Sequence, residues 1–277
     1  MIRSAILATA AVAQLILGSD VLAQTCTAIN SVPYVVTSPG AYCVTTYITT
    51  NLSTGVAIEI RADNVILDFA NGGLDDLAAG PSTVAIGVYA LDRNNITIRN
   101  GTIRGFSYGI ALENSSATFD NTVGSTISDM LLELNRSAAI EVRGANTILS
   151  KNLIQTTGNA PIGGSVAISV FGPRAVLSQN NIIDTATETP DSDAIDIKIY
   201  GGAGCDVQGN RMVNTVSGTG SSVGVMIWSS PDCYVRNNVF DNRTAATPLD
   251  IGVYVIDSKR VQTVSNSMTN VVKTYQR

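Results

Sequence analysis

A four-residue pattern returns along this chain: a small residue, an aliphatic, a variable residue and a second aliphatic. It appears as Ala57-Ile58-Glu59-Ile60, Ala85-Ile86-Gly87-Val88, Gly109-Ile110-Ala111-Leu112, Ala139-Ile140-Glu141-Val142, Ala167-Ile168-Ser169-Val170, Ala194-Ile195-Asp196-Ile197, Gly224-Val225-Met226-Ile227 and Gly252-Val253-Tyr254-Val255. A period of about 24 to 30 residues is too short for a unit with its own core, so consecutive units must stack. On a strand, successive side chains face opposite ways. The two aliphatics therefore point into the stack and the variable residue between them points to solvent.

A second strand follows in each unit, as in NVILD (64–68), NITIR (95–99), NTILS (146–150), AVLSQ (175–179), CDVQG (205–209) and CYVRN (233–237). An Asn comes a few residues later, at Asn71, Asn100, Asn152, Asn180, Asn210, Asn238 and Asn266, with Asp129 in its place once. Stacked Asn residues exchange amide hydrogen bonds from rung to rung and tolerate left-handed backbone. Aliphatic strands, Asn at a fixed turn and this coil length resemble the pectate-lyase-like superfamily. The resemblance implies an all-β fold, a right-handed parallel β-helix of about eight coils.

The expected organisation is a signal peptide over 1–23, an N-terminal cap over 24–54 and the solenoid over 55–277. Arg3, the apolar run Ala5 to Leu17 and the small residues before Gln24 read as a secretory signal cleaved near Ala23, for a secreted or periplasmic protein. No later stretch is long enough for a membrane span. A solenoid end needs a cover over its unpaired strands, and the segment holding Cys26 and Cys43 fits that role. In an oxidising compartment these two residues are disulfide candidates. Cys205 and Cys233 each precede an inward Val by two residues in consecutive coils, so their Cα atoms lie about 4.8 Å apart, either bridged or as stacked thiols.

The net charge of −5 argues against nucleic acid as a partner. The chain has no histidine, which removes His-based triads and ordinary catalytic zinc sites. What remains for function is the outer face of the first-strand sheet. Its expected columns carry Glu59, Glu141, Asp196 and Tyr254 in one line, and Arg61, Tyr89, Glu113, Arg143, Phe171, Lys198 and Trp228 in the other. Tyr200 extends the second. Aromatic rings with charges between them suit an extended sugar chain, so the expected substrate-binding set is Tyr89, Phe171, Trp228, Tyr254, Tyr200, Arg61 and Glu113, and the expected partner is a polysaccharide.

Asp193 stands in an otherwise uncharged column and, with Asp191 and Asp196, forms an acidic cluster whose oxygen ligands suit Ca²⁺ as a candidate cofactor. The stretch Asp193-Ala194-Ile195-Asp196-Ile197 resembles the Asp-Gly-Ile-Asp-Ile segment of polygalacturonases, which implies a catalytic Asp193. The chain departs from that family at Ser222-Val223, where paired aspartates should stand, and lacks its Gly-His-Gly and Arg-Ile-Lys segments. Two reactions frame the candidate catalytic residues Asp193, Asp196, Glu141, Lys198 and Arg143. Hydrolysis needs two carboxyl groups, and Glu141 and Asp196 are expected two rungs apart in one column, about 9.6 Å between Cα atoms. Elimination from a uronate needs a base, and Lys198 or Arg143 beside a carboxylate is poorly placed to lose its proton. The expected function is an exported solenoid that binds a polysaccharide and cleaves it as a lyase or hydrolase. The alternative is a non-catalytic adhesive or structural solenoid.

Overall fold

The computed structural model describes residues 26–158, 163–243 and 249–276. The expected signal peptide lies outside them. Every strand pairing among the described residues is parallel, and the chain winds as a right-handed parallel β-helix. A ten-stranded sheet runs the length of the molecule, through Tyr34–Val36, Val56–Ile60, Ile86–Leu91, Tyr108–Glu113, Ala138–Arg143, Ser165–Phe171, Ala194–Tyr200, Ser222–Trp228, Leu249–Ile256 and Val271–Gln276. The second strands of the coils form the other wall together with third strands, such as Leu153–Gln155 or Asn181–Ile183, that sequence reading passed over; in two coils the two run on as one strand, Ile96–Arg104 and Thr126–Glu133. Between the walls lies one apolar core, from Ile29 and Ile58 through Phe106, Ile140 and Ile197 to Val253.

The segment expected as a cap is itself built as a coil. Thr27–Ala28 pairs with Gly40–Cys43, and Tyr34–Val36 pairs with Val56–Ile60. Both cysteine pairs are bonded, Cys26 to Cys43 and Cys205 to Cys233, the latter with Cα atoms 4.5 Å apart. Two disulfides fit an oxidising compartment. No helix among the described residues is long and apolar enough to cross a membrane.

Six of the eight repeat segments pair as expected, and two are displaced by two residues. Val88, not Ile86, lies beside Ile58 and Ile110, and Ile197, not Ile195, lies beside Ile168 and Val225. A two-residue slip keeps every side chain on its own face, so alternation reads the same in both registers. Packing at the small position decides between them. There both the small residue and the aliphatic after it are enclosed: Ala139 and Ile140 are fully buried. A Cβ on Gly87 would lie 2.8 Å from Ile103 Cγ2, and one on Gly224 would lie 2.4 Å from the Phe240 ring. In the observed register the small column reads Ala57, Gly87, Gly109, Ala139, Ala167, Asp196, Gly224, Gly252.

The asparagines divide into two groups. Asn152, Asn180, Asn210, Asn238 and Asn266 form a ladder in which each Nδ2 donates to the next Oδ1 at 2.9 to 3.1 Å. The residue before each takes the left-handed turn, as at Lys151, Gln179 and Asn237. Asn71, Asn100 and Asp129 are themselves the left-handed residues, with φ of 68°, 61° and 55°, so they are not ladder members. The Met130 backbone N–H closes the ladder by donating to Asn152 Oδ1.

Candidate functional site

The outer face of the ten-stranded sheet presents two columns. Glu59, Tyr89, Ala111, Glu141, Ser169, Lys198, Met226 and Tyr254 follow one another in the first. Leu91, Glu113, Arg143, Phe171, Tyr200, Trp228 and Ile256 follow in the second, with Arg61 before them in the strand order. The register shift therefore moves Tyr89 and Lys198 into the first column and brings Tyr200 into the second. Phe171, Tyr200 and Trp228 stand on three successive rungs.

Those three rings meet edge to face, with centroids 5.7 Å apart for Phe171 and Tyr200 and 5.2 Å for Tyr200 and Trp228. Such geometry suits the ring quadrupoles. Phe119 prolongs the row, 6.2 Å from Phe171. It arrives from the connection between Tyr108–Glu113 and Thr126–Glu133, reaching over two rungs whose glycines make room: a Cβ on Gly172 or Gly201 would lie 3.2 Å from it. Nothing in the repeat marks Phe119, because it sits in a loop outside the periodic pattern. Lys198 Nζ lies 6.0 Å from the Phe171 centroid and 5.6 Å from that of Trp228, and the Arg143 guanidinium lies 4.5 Å over Phe171.

At one end of the row is a carboxyl pair. Arg143 Nε is 3.0 Å from Glu141 Oε1 and 2.9 Å from Glu113 Oε2, so one guanidinium holds both. Burial pushes the Glu113 carboxyl up to about 7, and the Glu141 charge adds to the rise against the pull of Arg143. The two carboxyl groups share the Arg143 guanidinium, and it is the Glu113 carboxyl that the Glu141 charge helps to hold protonated. Burial also raises the Tyr108 phenol, with Glu141 and Glu113 contributing, and that of Tyr89, with Glu113 and Glu59 contributing. Further along, Glu59 accepts from Arg61 at 2.7 and 2.8 Å.

The acidic cluster expected around Asp193 does not assemble. Asp196 is 0% exposed, in the interior small column, where it accepts a hydrogen bond from the Thr215 hydroxyl. Burial pushes its carboxyl up to about 7, opposed by the Thr215 and Thr185 hydroxyls. It therefore shares no column with Glu141, whose partner two rungs away is Lys198. Nor does it pair with Lys198 on the surface. Asp193 lies just before the strand, half-exposed, and accepts from the Ser221 backbone N–H at 2.9 Å, which explains its charge without a ligand. Asp191 is exposed and bonds Thr219. No three acidic or thiol groups gather around a common point among the described residues, so Asp191, Asp193 and Asp196 do not form the expected Ca²⁺ site.

Residues 86–274 match the family model described as the right handed beta helix region. The chain belongs to that family. Among solved structures, this β-helix is similar to the enzymatically active domain of tailspike protein 2 of bacteriophage CBA120, at 12% identity and a TM-score of 0.61, covering 85% of this chain and 41% of that one. It therefore spans less than half of the tailspike chain. It is also similar to a GH136 lacto-N-biosidase from Eubacterium ramulus, at 10% identity and a TM-score of 0.45, covering 85% of this chain and 60% of that one. A third is PfbA, a surface adhesin of Streptococcus pneumoniae, at 9% identity and a TM-score of 0.40, covering 86% of this chain and 83% of that one. No curated protein matches the sequence. At these identities the likeness is one of fold.

Proposed function

We propose that this β-helix binds a polysaccharide along the outer face of its ten-stranded sheet. The observation that carries the reading is the row Phe119, Phe171, Tyr200 and Trp228, with Lys198 set between two of its rings. Sugar rings present apolar C–H faces that stack on aromatics while their hydroxyls reach adjacent polar groups. A row spanning three rungs matches an extended chain better than a compact ligand. Trp228 is 36% exposed and half-buried Phe171 and Tyr200 stand beside it, so ring surface is available.

The acids of this face favour binding without cleavage. Glu59 is held by Arg61, and Glu113 and Glu141 are held by Arg143. Glycosidases need one carboxyl group as acid and a second as base or nucleophile at the scissile bond, and here a single guanidinium, that of Arg143, engages both. One observation supports the second reading, a cleaving enzyme: Glu113 keeps its proton near neutral pH at the end of the row, as a general acid must. The pair lies at the end of the aromatic row, on the same sheet face.

The test is a panel of neutral and acidic polysaccharides, with and without Ca²⁺, read for retention, new reducing ends and absorbance of unsaturated ends. Retention with no new ends is the expected result. New reducing ends alone indicate hydrolysis, both signals together indicate elimination, and no retention on any member overturns the carbohydrate reading.

A further inference from the structure

Every cation at the carboxyl end of this face is matched by an acid, and the one in the middle of the aromatic row is not. Arg61 is bound to Glu59, and Arg143 to both Glu113 and Glu141. Lys198 has no carboxylate partner among the described residues. Its neighbours in the column are Ser169 before it and Met226 after it, both nearly buried and neither charged. The aspartate two residues away in sequence, Asp196, is enclosed in the core. Glu141 stands two rungs off and is committed to Arg143.

The ammonium is thus held against two ring faces. Aromatic faces attract a cation weakly and leave its hydrogen-bonding protons available to a third group. An unmatched cation on apolar surroundings, beside rings that a sugar chain can lie on, has a chemical complement: an anion carried on the sugar itself.

We propose that Lys198 is an anion-recognition point on this face, and that the preferred glycan carries a carboxylate or sulfate on the residue seated at the Tyr200 rung, beside Lys198. This rests on the carbohydrate-binding reading above. Neutral residues of the same chain occupy the neighbouring positions, where Arg143 is already committed to Glu141 and Glu113 and offers no free charge to a second anion. The face therefore discriminates by the position of one charge as well as by the polymer's shape.

The experiment measures retention of the full chain on an array of neutral, uronate-bearing and sulfated glycans, for the parent, Lys198→Met and Lys198→Arg. Lys198→Met keeps an apolar stem of similar length over the rings and removes the charge. The parent should prefer acidic members, with affinity falling as salt rises. Lys198→Met should lose about tenfold or more on those members, the range of one charge-assisted contact, and should lose the salt dependence. Lys198→Arg should retain most of both. The uronate and sulfate arms identify which anion is read. A parent that binds neutral members better, or a Lys198→Met variant unchanged on acidic ones, overturns the inference and leaves the carbohydrate reading intact. Retention on no member overturns both.

Discussion

Asp196 and Thr215 meet inside the solenoid, the threonine hydroxyl donating to a carboxylate 19 residues earlier in the chain. The contact exists because the small position is enclosed in the solenoid, which sets Asp196 beside the residue that precedes the short strand Val216–Ser217 of its own coil. The corresponding Gly109 makes the same approach, where a Cβ would come within 3.0 Å of Asn135 Nδ2. Seven members of this column are Gly or Ala. The eighth places an ionisable group where its charged form is poorly solvated.

Stability should respond to pH through Asp196. Its carboxyl titrates near 3.8 when exposed and at about 7 in the fold, so the folded state holds the proton more tightly. The stabilisation is complete below about pH 4 and disappears as pH rises through 7, a swing of the order of 4 kcal/mol. Asp196→Asn removes the titration, and Asp196→Ala also restores the column's small size. Both should flatten the dependence of the urea midpoint between pH 5 and 8. An unchanged slope in both variants would assign it to other groups.

Glu113 supplies a second slope of the same sign. Its carboxyl is also raised to about 7, and ionisation brings it against the neighbouring Glu141 charge. Glu113→Gln removes the titration and keeps a side chain of the same length. In an Asp196→Asn background, the residual loss of stability from pH 5 to 8 should vanish when Glu113→Gln is added, as read by thermal midpoints across that range.

The two kinds of asparagine predict two kinds of substitution. Asn210 Nδ2 donates to Leu177 O and Asn238 Oδ1, and its Oδ1 accepts from the Asn180 backbone N–H. Asn210→Ala leaves those buried groups without partners and should cost roughly 2 to 4 kcal/mol. Asn71 is exposed and left-handed, so Asn71→Ala should cost about 1 kcal/mol and Asn71→Gly almost nothing. Chemical denaturation of the three variants separates the roles.

These residues also show where sequence reading reached its limit. Ile110, Ile140 and Ile168 pair as their shared pattern predicts, because a parallel stack repeats one environment at each rung. Ala85-Ile86 and Ala194-Ile195 mimic the same small-aliphatic step two residues early, and strand alternation cannot distinguish a shift of two. The distinguishing information is tertiary: Ile103 above Gly87, and Thr215 beside Asp196. That one slip moved Asp196 from the surface to the core and left Lys198 beside the wrong partner, which changed the chemistry of the candidate site while leaving the fold untouched. The third strands escaped notice because triplets such as Leu153–Gln155 follow the Asn turn with only one or two buried residues each. Phe119 belongs to no periodic position.

The aromatic row makes the last prediction. Tyr200 is its centre, touching Phe171 on one side and Trp228 on the other, so Tyr200→Ala opens a gap in a surface that Trp228→Ala merely shortens. Each edge-to-face pair contributes about 0.5 to 1.5 kcal/mol beyond burial, so Tyr200→Ala should lower stability by about 1 to 3 kcal/mol and Trp228→Ala by about half of that. Binding should follow a different order of size. A glycan long enough to span three rungs loses its middle platform in Tyr200→Ala and should weaken at least tenfold, whereas a shorter oligosaccharide seated near Phe119 and Phe171 should lose little from Trp228→Ala. Affinities of one oligosaccharide series of increasing length, measured by calorimetry on the parent and both variants, test this directly. The dependence on length is the decisive reading: if Trp228→Ala weakens the shortest and longest members equally, the rings do not act as successive platforms along one chain.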